Sequence, residues 1–102
     1  MTLAIDFDMV LHQKDQPLPG RKMGPPVAGA KDALTQLMRD GHTVIIHSCF
    51  SANAIANWMA WYEIPYSSIW QGAGKPEADY YIDDKGLRFE SWEQVMRDLE
   101  TR

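Results

Sequence analysis

Hydrophobic positions along the 102-residue chain switch between two periods. Leu3, Ala4, Ile5 and Phe7 form a short apolar run that ends among acids, and Thr43 to Ile46 form a β-branched run that ends near Ser48. Apolar runs of this length bounded by polar residues predict buried strands. Between them, Ala30, Ala33, Leu34, Leu37 and Met38 recur at the spacing of one helical face, with Gly41 placed where a left-handed helix stop is expected. Ser51, as a cap, followed by Ile55, Trp58, Met59 and Tyr62, predicts a second helix that ends before Pro65, because the residue before proline disfavours helix. Ser67 to Trp70 and Asp79 to Ile82 read as two more strands. Ser91 with Gln94 three residues on reads as a capping box opening a last helix, whose apolar face is Trp92, Val95, Met96 and Leu99. The order strand, helix, strand, helix, strand, strand, helix predicts an α/β sandwich. Its sheet is expected to be mostly parallel and covered on both faces, since parallel neighbours need crossover connections.

The one long irregular stretch, positions 12–26, carries Pro17, Pro19, Gly20, Gly24, Pro25 and Pro26. Long loops in compact domains are usually functional, so this stretch is expected to be a flap over a site. With no repeat or low-complexity tract, residues 1–102 read as one domain. Lys and Arg number 10 against 14 Asp and Glu, and 45% of residues are hydrophobic. Such a composition excludes a disordered tail and supplies no overall positive field for phosphate backbones. Cys49 is the single cysteine, which rules out an intrachain disulfide and makes a cytoplasmic location the expectation. The first ten residues contain Asp6 and Asp8 without a basic start, and no apolar run approaches about 18 residues, so no membrane association is expected.

In parallel α/β sheets ligands gather beyond the carboxyl ends of the strands. There the sequence places Asp6 and Asp8 after the first predicted strand, Ser48 after the second, Lys75 ahead of the fourth, and Asp83 with Asp84 after it. Four carboxylates packed together repel unless a cation or a proton intervenes. A set made of oxygen donors, without Cys and His pairs at zinc spacing, suits magnesium. With the charge screened, one Asp can attack phosphorus while Lys75 and Ser48 hold the phosphoryl oxygens.

These residues resemble motifs one to four of the haloacid-dehalogenase-like superfamily: Asp6-Phe7-Asp8-Met9-Val10, the apolar strand with Ser48, Lys75-Pro76, and Tyr81-Ile82-Asp83-Asp84. The resemblance spans nearly the whole chain in order. It implies a three-layer Rossmann-like sandwich without a separate cap domain, and a magnesium-dependent phosphatase that works through an aspartyl phosphate. By the same resemblance Asp6 is the nucleophile and Asp8 the general acid and base. Ser48 and Lys75 bind the phosphoryl group, and Asp6, the backbone carbonyl of Asp8, Asp83 and Asp84 hold Mg2+. The expected partner is a phosphorylated small molecule or a phosphate on nucleic acid or protein. The chain departs from the family at Met9, where relatives carry Gly, and at Cys49 and Phe50, near which small relatives place Arg. The substitution at position 9 underlies an alternative reading, a phosphate-binding or regulatory domain that has lost turnover.

Other motifs yield plainer readings. Gly72-Ala73-Gly74-Lys75 is not a Walker loop, because Pro76 takes the Ser/Thr position and the upstream glycine spacing is wrong. A receiver domain would need its phosphoacceptor Asp at the end of the middle strand, after the first acidic pair and before the hydroxyl residue; here the order is hydroxyl, then Lys, then acidic pair, which disfavours that reading. Ser48 has a simpler role open to it as a helix cap. His12, His42 and His47 lack metal spacing and are expected as surface or strand-packing residues, His12 being the one to watch because it begins the flap. Cys49 reads as a small buried residue. Trp61 falls off the apolar stripe of the second helix and is a candidate contact between copies of the chain.

Overall fold

The computed structural model describes residues 1–8, 10–13, 23–48, 50–72, 74–83 and 89–100. The elements follow the predicted order: β1 (Thr2–Asp6), α1 (Ala30–Arg39), β2 (Thr43–His47), α2 (Ala52–Trp61), β3 (Ser68–Trp70), β4 (Tyr80–Ile82) and α3 (Trp92–Glu100). Local chemistry sets the helix ends. Ser51 Oγ accepts the Ala54 backbone N–H at 3.2 Å, capping α2. Ser91 Oγ accepts the Gln94 N–H at 3.1 Å while Gln94 Oε1 accepts the Ser91 N–H at 3.5 Å, closing the capping box of α3. After α1, Gly41 turns into the left-handed region at φ 86°, and the N–H groups of Gly41 and His42 donate back to the carbonyls of Met38 and Leu37.

The four strands form one parallel sheet in the order β3-β2-β1-β4. Leu3 is in register with Val44 and Tyr80, and Ile5 with Ile46 and Ile82, so these side chains share one face. Leu3, Ile5, Val44, Ile46 and Ile82 are fully buried there, in one cluster with Leu34, Leu37, Ile55, Met59, Val95 and Leu99 from the helices. Burying each of these aliphatic side chains stabilises the fold by about 2 kcal/mol. Helix α1 packs on β2 and α3, and α2 packs on β3. This is the α/β architecture of a Rossmann-like sandwich. Cover of the two sheet faces is unequal: the other face presents Ala4, buried, Ile45 and Tyr81, half-buried, and Ser68, exposed.

Both ends of the expected flap are tied down. After β1 the chain turns sharply, with the N–H groups of Leu11 and His12 donating to the Phe7 carbonyl at 3.1 and 3.2 Å. Gln13 N–H then donates to the Pro25 carbonyl at 2.8 Å, and Val27 N–H to that of Leu11 at 2.7 Å. Two indoles anchor this clamp: Trp58 Nε1–H donates to the Gly24 carbonyl and Trp92 Nε1–H to that of Val10, each at 3.0 Å. Positions 14–22, the bulk of the predicted flap, lie outside the described residues.

Candidate functional site

Parallel register builds a row of side chains across the carboxyl edge of the sheet. Asp6 ends β1 opposite His47, and His47 is opposite Trp70 at the end of β3. Because Ile5 is in register with Ile82, the next residue of each strand places Asp83 beside Asp6. Asp8, Ser48 and Lys75 join this row around one pocket of about 560 Å³, whose wall also includes Gly72. Five sequence-predicted site residues, Asp6, Asp8, Ser48, Lys75 and Asp83, therefore meet in one place. The sixth, Asp84, lies outside the described residues, as do Met9 and Cys49.

The electrostatics follow from crowding and burial. Burial pushes the Asp6 carboxyl above its usual range, the carboxylates of Asp8 and Asp83 push the same way, and the Asp8 backbone N–H opposes them. His47 also opposes the rise when charged. Burial, however, lowers the His47 pKa, with Lys75 adding to that effect, so at neutral pH this relief is largely withdrawn. Asp83 is enclosed, and Lys75 Nζ donates to its Oδ2 at 2.5 Å while remaining about half exposed at the pocket. The ammonium also lies 5.7 Å from the centre of the Tyr81 ring. Ser48 Oγ accepts the Phe50 N–H at 3.2 Å, which leaves its proton available to an oxygen in the pocket. Since Ser51 caps α2, the capping role considered for Ser48 is not the one it plays.

Among the described residues no three His, Cys, Asp or Glu side chains stand close enough to hold a metal ion by themselves. The donor chemistry nevertheless fits a hard cation. Asp6 and Asp83 offer carboxylate oxygens, and the repulsion among Asp6, Asp8 and Asp83 is one that a dication would relieve.

Three residues of the site escaped the sequence reading. His12, expected at the surface or in strand packing, is completely enclosed and bonds to Asp8, Nε2 to Oδ1 at 2.7 Å. His47 lines the pocket, and its Nε2 is buried without a hydrogen-bond partner among the described residues. Trp70 forms a wall, with its Nε1–H donating to the Gly74 carbonyl at 3.1 Å. Gly72 lies so close that an added Cβ would stand 2.5 Å from Cζ2 of the Trp70 ring, which accounts for glycine at that position. A tryptophan ending a predicted strand, followed by Gly72 and Gly74, was the available signal for this wall. His42, by contrast, pairs with the N-terminal amine of Met1 ahead of β1 and β2, at the edge of the sheet opposite these motifs.

No family model matches the chain, and no curated protein matches it. Its fold is similar to that of a solved structure described as a conserved protein of Bacteroides thetaiotaomicron, with a TM-score of 0.75 and 18% sequence identity. The likeness covers 99% of this chain and 90% of the other. At that identity it establishes a shared fold. No helix among the described residues is long and apolar enough to cross a membrane.

Proposed function

We propose that the chain is a magnesium-dependent phosphatase that hydrolyses phosphomonoesters through an aspartyl phosphate on Asp6, in the manner of the haloacid-dehalogenase-like enzymes its motifs resemble. The observation that carries this reading is the convergence of Asp6, Asp8, Ser48, Lys75 and Asp83 on one pocket at the carboxyl edge of a parallel sheet. In the first step an Asp6 oxygen bonds to phosphorus as the bond to the leaving oxygen breaks, and Asp8 gives that oxygen its proton. In the second, Asp8, now ionised, takes a proton from water as the water oxygen attacks phosphorus, freeing phosphate and Asp6. The Ser48 hydroxyl and the Lys75 ammonium hold the phosphoryl oxygens throughout. Magnesium, when bound to Asp6, the Asp8 carbonyl, Asp83 and Asp84, supplies charge neutralisation between the nucleophile and the phosphoryl group.

The substrate is a phosphorylated small molecule or a phosphate on nucleic acid or protein. A cytoplasmic setting belongs to the same reading, supported by the single cysteine. The test is hydrolysis of aryl and alkyl phosphates by the purified chain with magnesium. Turnover that disappears in Asp6→Asn supports the proposal. No turnover across a broad panel overturns it, and a rise in melting temperature with magnesium and phosphate, still without hydrolysis, assigns the chain instead to phosphate binding or regulation.

A further inference from the structure

His12 is surrounded on every side by contacts that fix it. Its ring stacks on Phe7 with centroids 4.5 Å apart and meets Phe50 and Trp58 edge-on at 5.7 and 6.4 Å. Its backbone N–H is bonded to the Phe7 carbonyl, and no part of the residue reaches solvent. The Gly24 backbone N–H donates to Nδ1 at 3.1 Å. A ring nitrogen that accepts a hydrogen bond carries no proton, so the ring proton lies on Nε2, which donates to Asp8 Oδ1 at 2.7 Å. Gly24 is in turn held through its carbonyl by the Trp58 indole. The chain of bonds therefore runs Trp58, Gly24, His12, Asp8, with each donor and acceptor assigned.

We infer that His12 is the positioning residue for Asp8, holding Oδ1 so that Oδ2 is the oxygen that carries the proton to the leaving group. This inference rests on the phosphatase reading above. Aspartate has a short side chain with two rotatable torsions, and proton transfer requires its oxygen within hydrogen-bond reach of the leaving oxygen. A carboxylate with one oxygen bound to a rigid donor has little freedom to leave that geometry. His12 does not relay the proton itself: its second nitrogen faces a backbone amide, which neither gives up nor takes a proton, and the ring is closed off from water. Its role is orientation, and the enclosing aromatic residues have the same effect on His12 that His12 has on Asp8.

A general acid matters most when the leaving group is a poor one, and this separates positioning from mere folding. The experiment compares kcat/KM for phenyl, p-nitrophenyl and 2,4-dinitrophenyl phosphate in wild type, His12→Phe and His12→Gln. His12→Phe, which keeps an enclosed ring but loses the donor, is expected to fall roughly 10- to 100-fold on phenyl phosphate and only a few-fold on the dinitrophenyl ester. His12→Gln, which keeps an N–H donor, is expected to recover part of the phenyl phosphate rate. In an Asp8→Asn background, His12→Phe is expected to add no further loss. An equal loss on all three esters, or none, overturns the inference while leaving the phosphatase reading intact. Absence of turnover in wild type sinks that reading instead. Nitrogen NMR of histidine-labelled wild type, which requires no variant to fold, is expected to find Nε2 protonated and Nδ1 bare; the reverse tautomer overturns the inference directly.

Discussion

Two imidazoles adjoin the Asp6-Phe7-Asp8 segment. His12 is wholly enclosed with both nitrogens bonded, one by Gly24 and one by Asp8, whereas His47 is half-buried and its enclosed Nε2 has no partner among the described residues. A buried polar group with every bond made stiffens its surroundings, while an orphaned one raises the energy of the folded state and is typical of places that meet a ligand. The same side chain thus serves the frame on the Asp8 side and faces the pocket on the Asp6 side. Burial lowers the His47 pKa, so the pocket's positive charge at neutral pH is concentrated on Lys75 rather than on this ring.

Three substitutions probe that contrast. The largest effect is expected from Asp6→Asn, which removes the proposed nucleophile beside His47 and should cut turnover roughly 10⁴-fold or more. Its effect on stability has the opposite sign. Burial raises the folded pKa of Asp6, so its contribution is most favourable below the ordinary value of 3.8 and is lost as pH rises through the folded pKa. Calorimetry should find Asp6→Asn melting above wild type at neutral pH, with the two converging in acid. Next comes His12→Ala, which opens a cavity among Phe7, Phe50 and Trp58 and strands the Gly24 N–H; a loss of about 3 kcal/mol is expected from urea unfolding. A loss below about 1 kcal/mol would erase the distinction between frame and pocket.

The smallest effect is expected from His47→Gln, within about 1 kcal/mol of wild type at neutral pH. Because the folded pKa of His47 is depressed, its contribution to stability is complete above the ordinary value of 6.5 and is lost as pH falls through the folded pKa. Acid titration followed by circular dichroism should therefore show wild type losing stability below that value and the Gln variant losing less. A His47 variant as unstable as His12→Ala would place both rings in the frame.

The strands, helices and caps were legible because they rest on neighbouring residues: the short apolar runs Leu3–Ile5 and Val44–Ile46, the i, i+3, i+4 face of α1, and the side chains of Ser51 and Ser91. Edges shifted by one residue, with β4 starting at Tyr80 rather than Asp79 and β3 at Ser68 rather than Ser67. Asp6, Asp8, Ser48, Lys75 and Asp83 were legible as a site because parallel topology sends every strand terminus to one edge. His12 was not, since its enclosure depends on Phe50 and Trp58, which lie 38 and 46 positions further along the sequence. His47 was hidden by its place at the end of an apolar run, where a histidine reads as one more strand-packing residue. The clamp of Gln13 and Val27 on Pro25 and Leu11 was hidden because proline-rich sequence signals a loop without saying what fastens its ends.

That clamp has a consequence for how the chain tolerates change. The backbone at Gln13 and the backbone at Pro25 are stitched side by side, so new sequence spliced between them begins and ends at nearly the same point. Each doubling of the spliced length costs only about 0.6 kcal/mol of closure entropy, and the register of the sheet feels none of it. The stitch is a socket: it fastens both ends of whatever runs between Gln13 and Pro25, and His12 carries that fastening to Asp8 at the pocket.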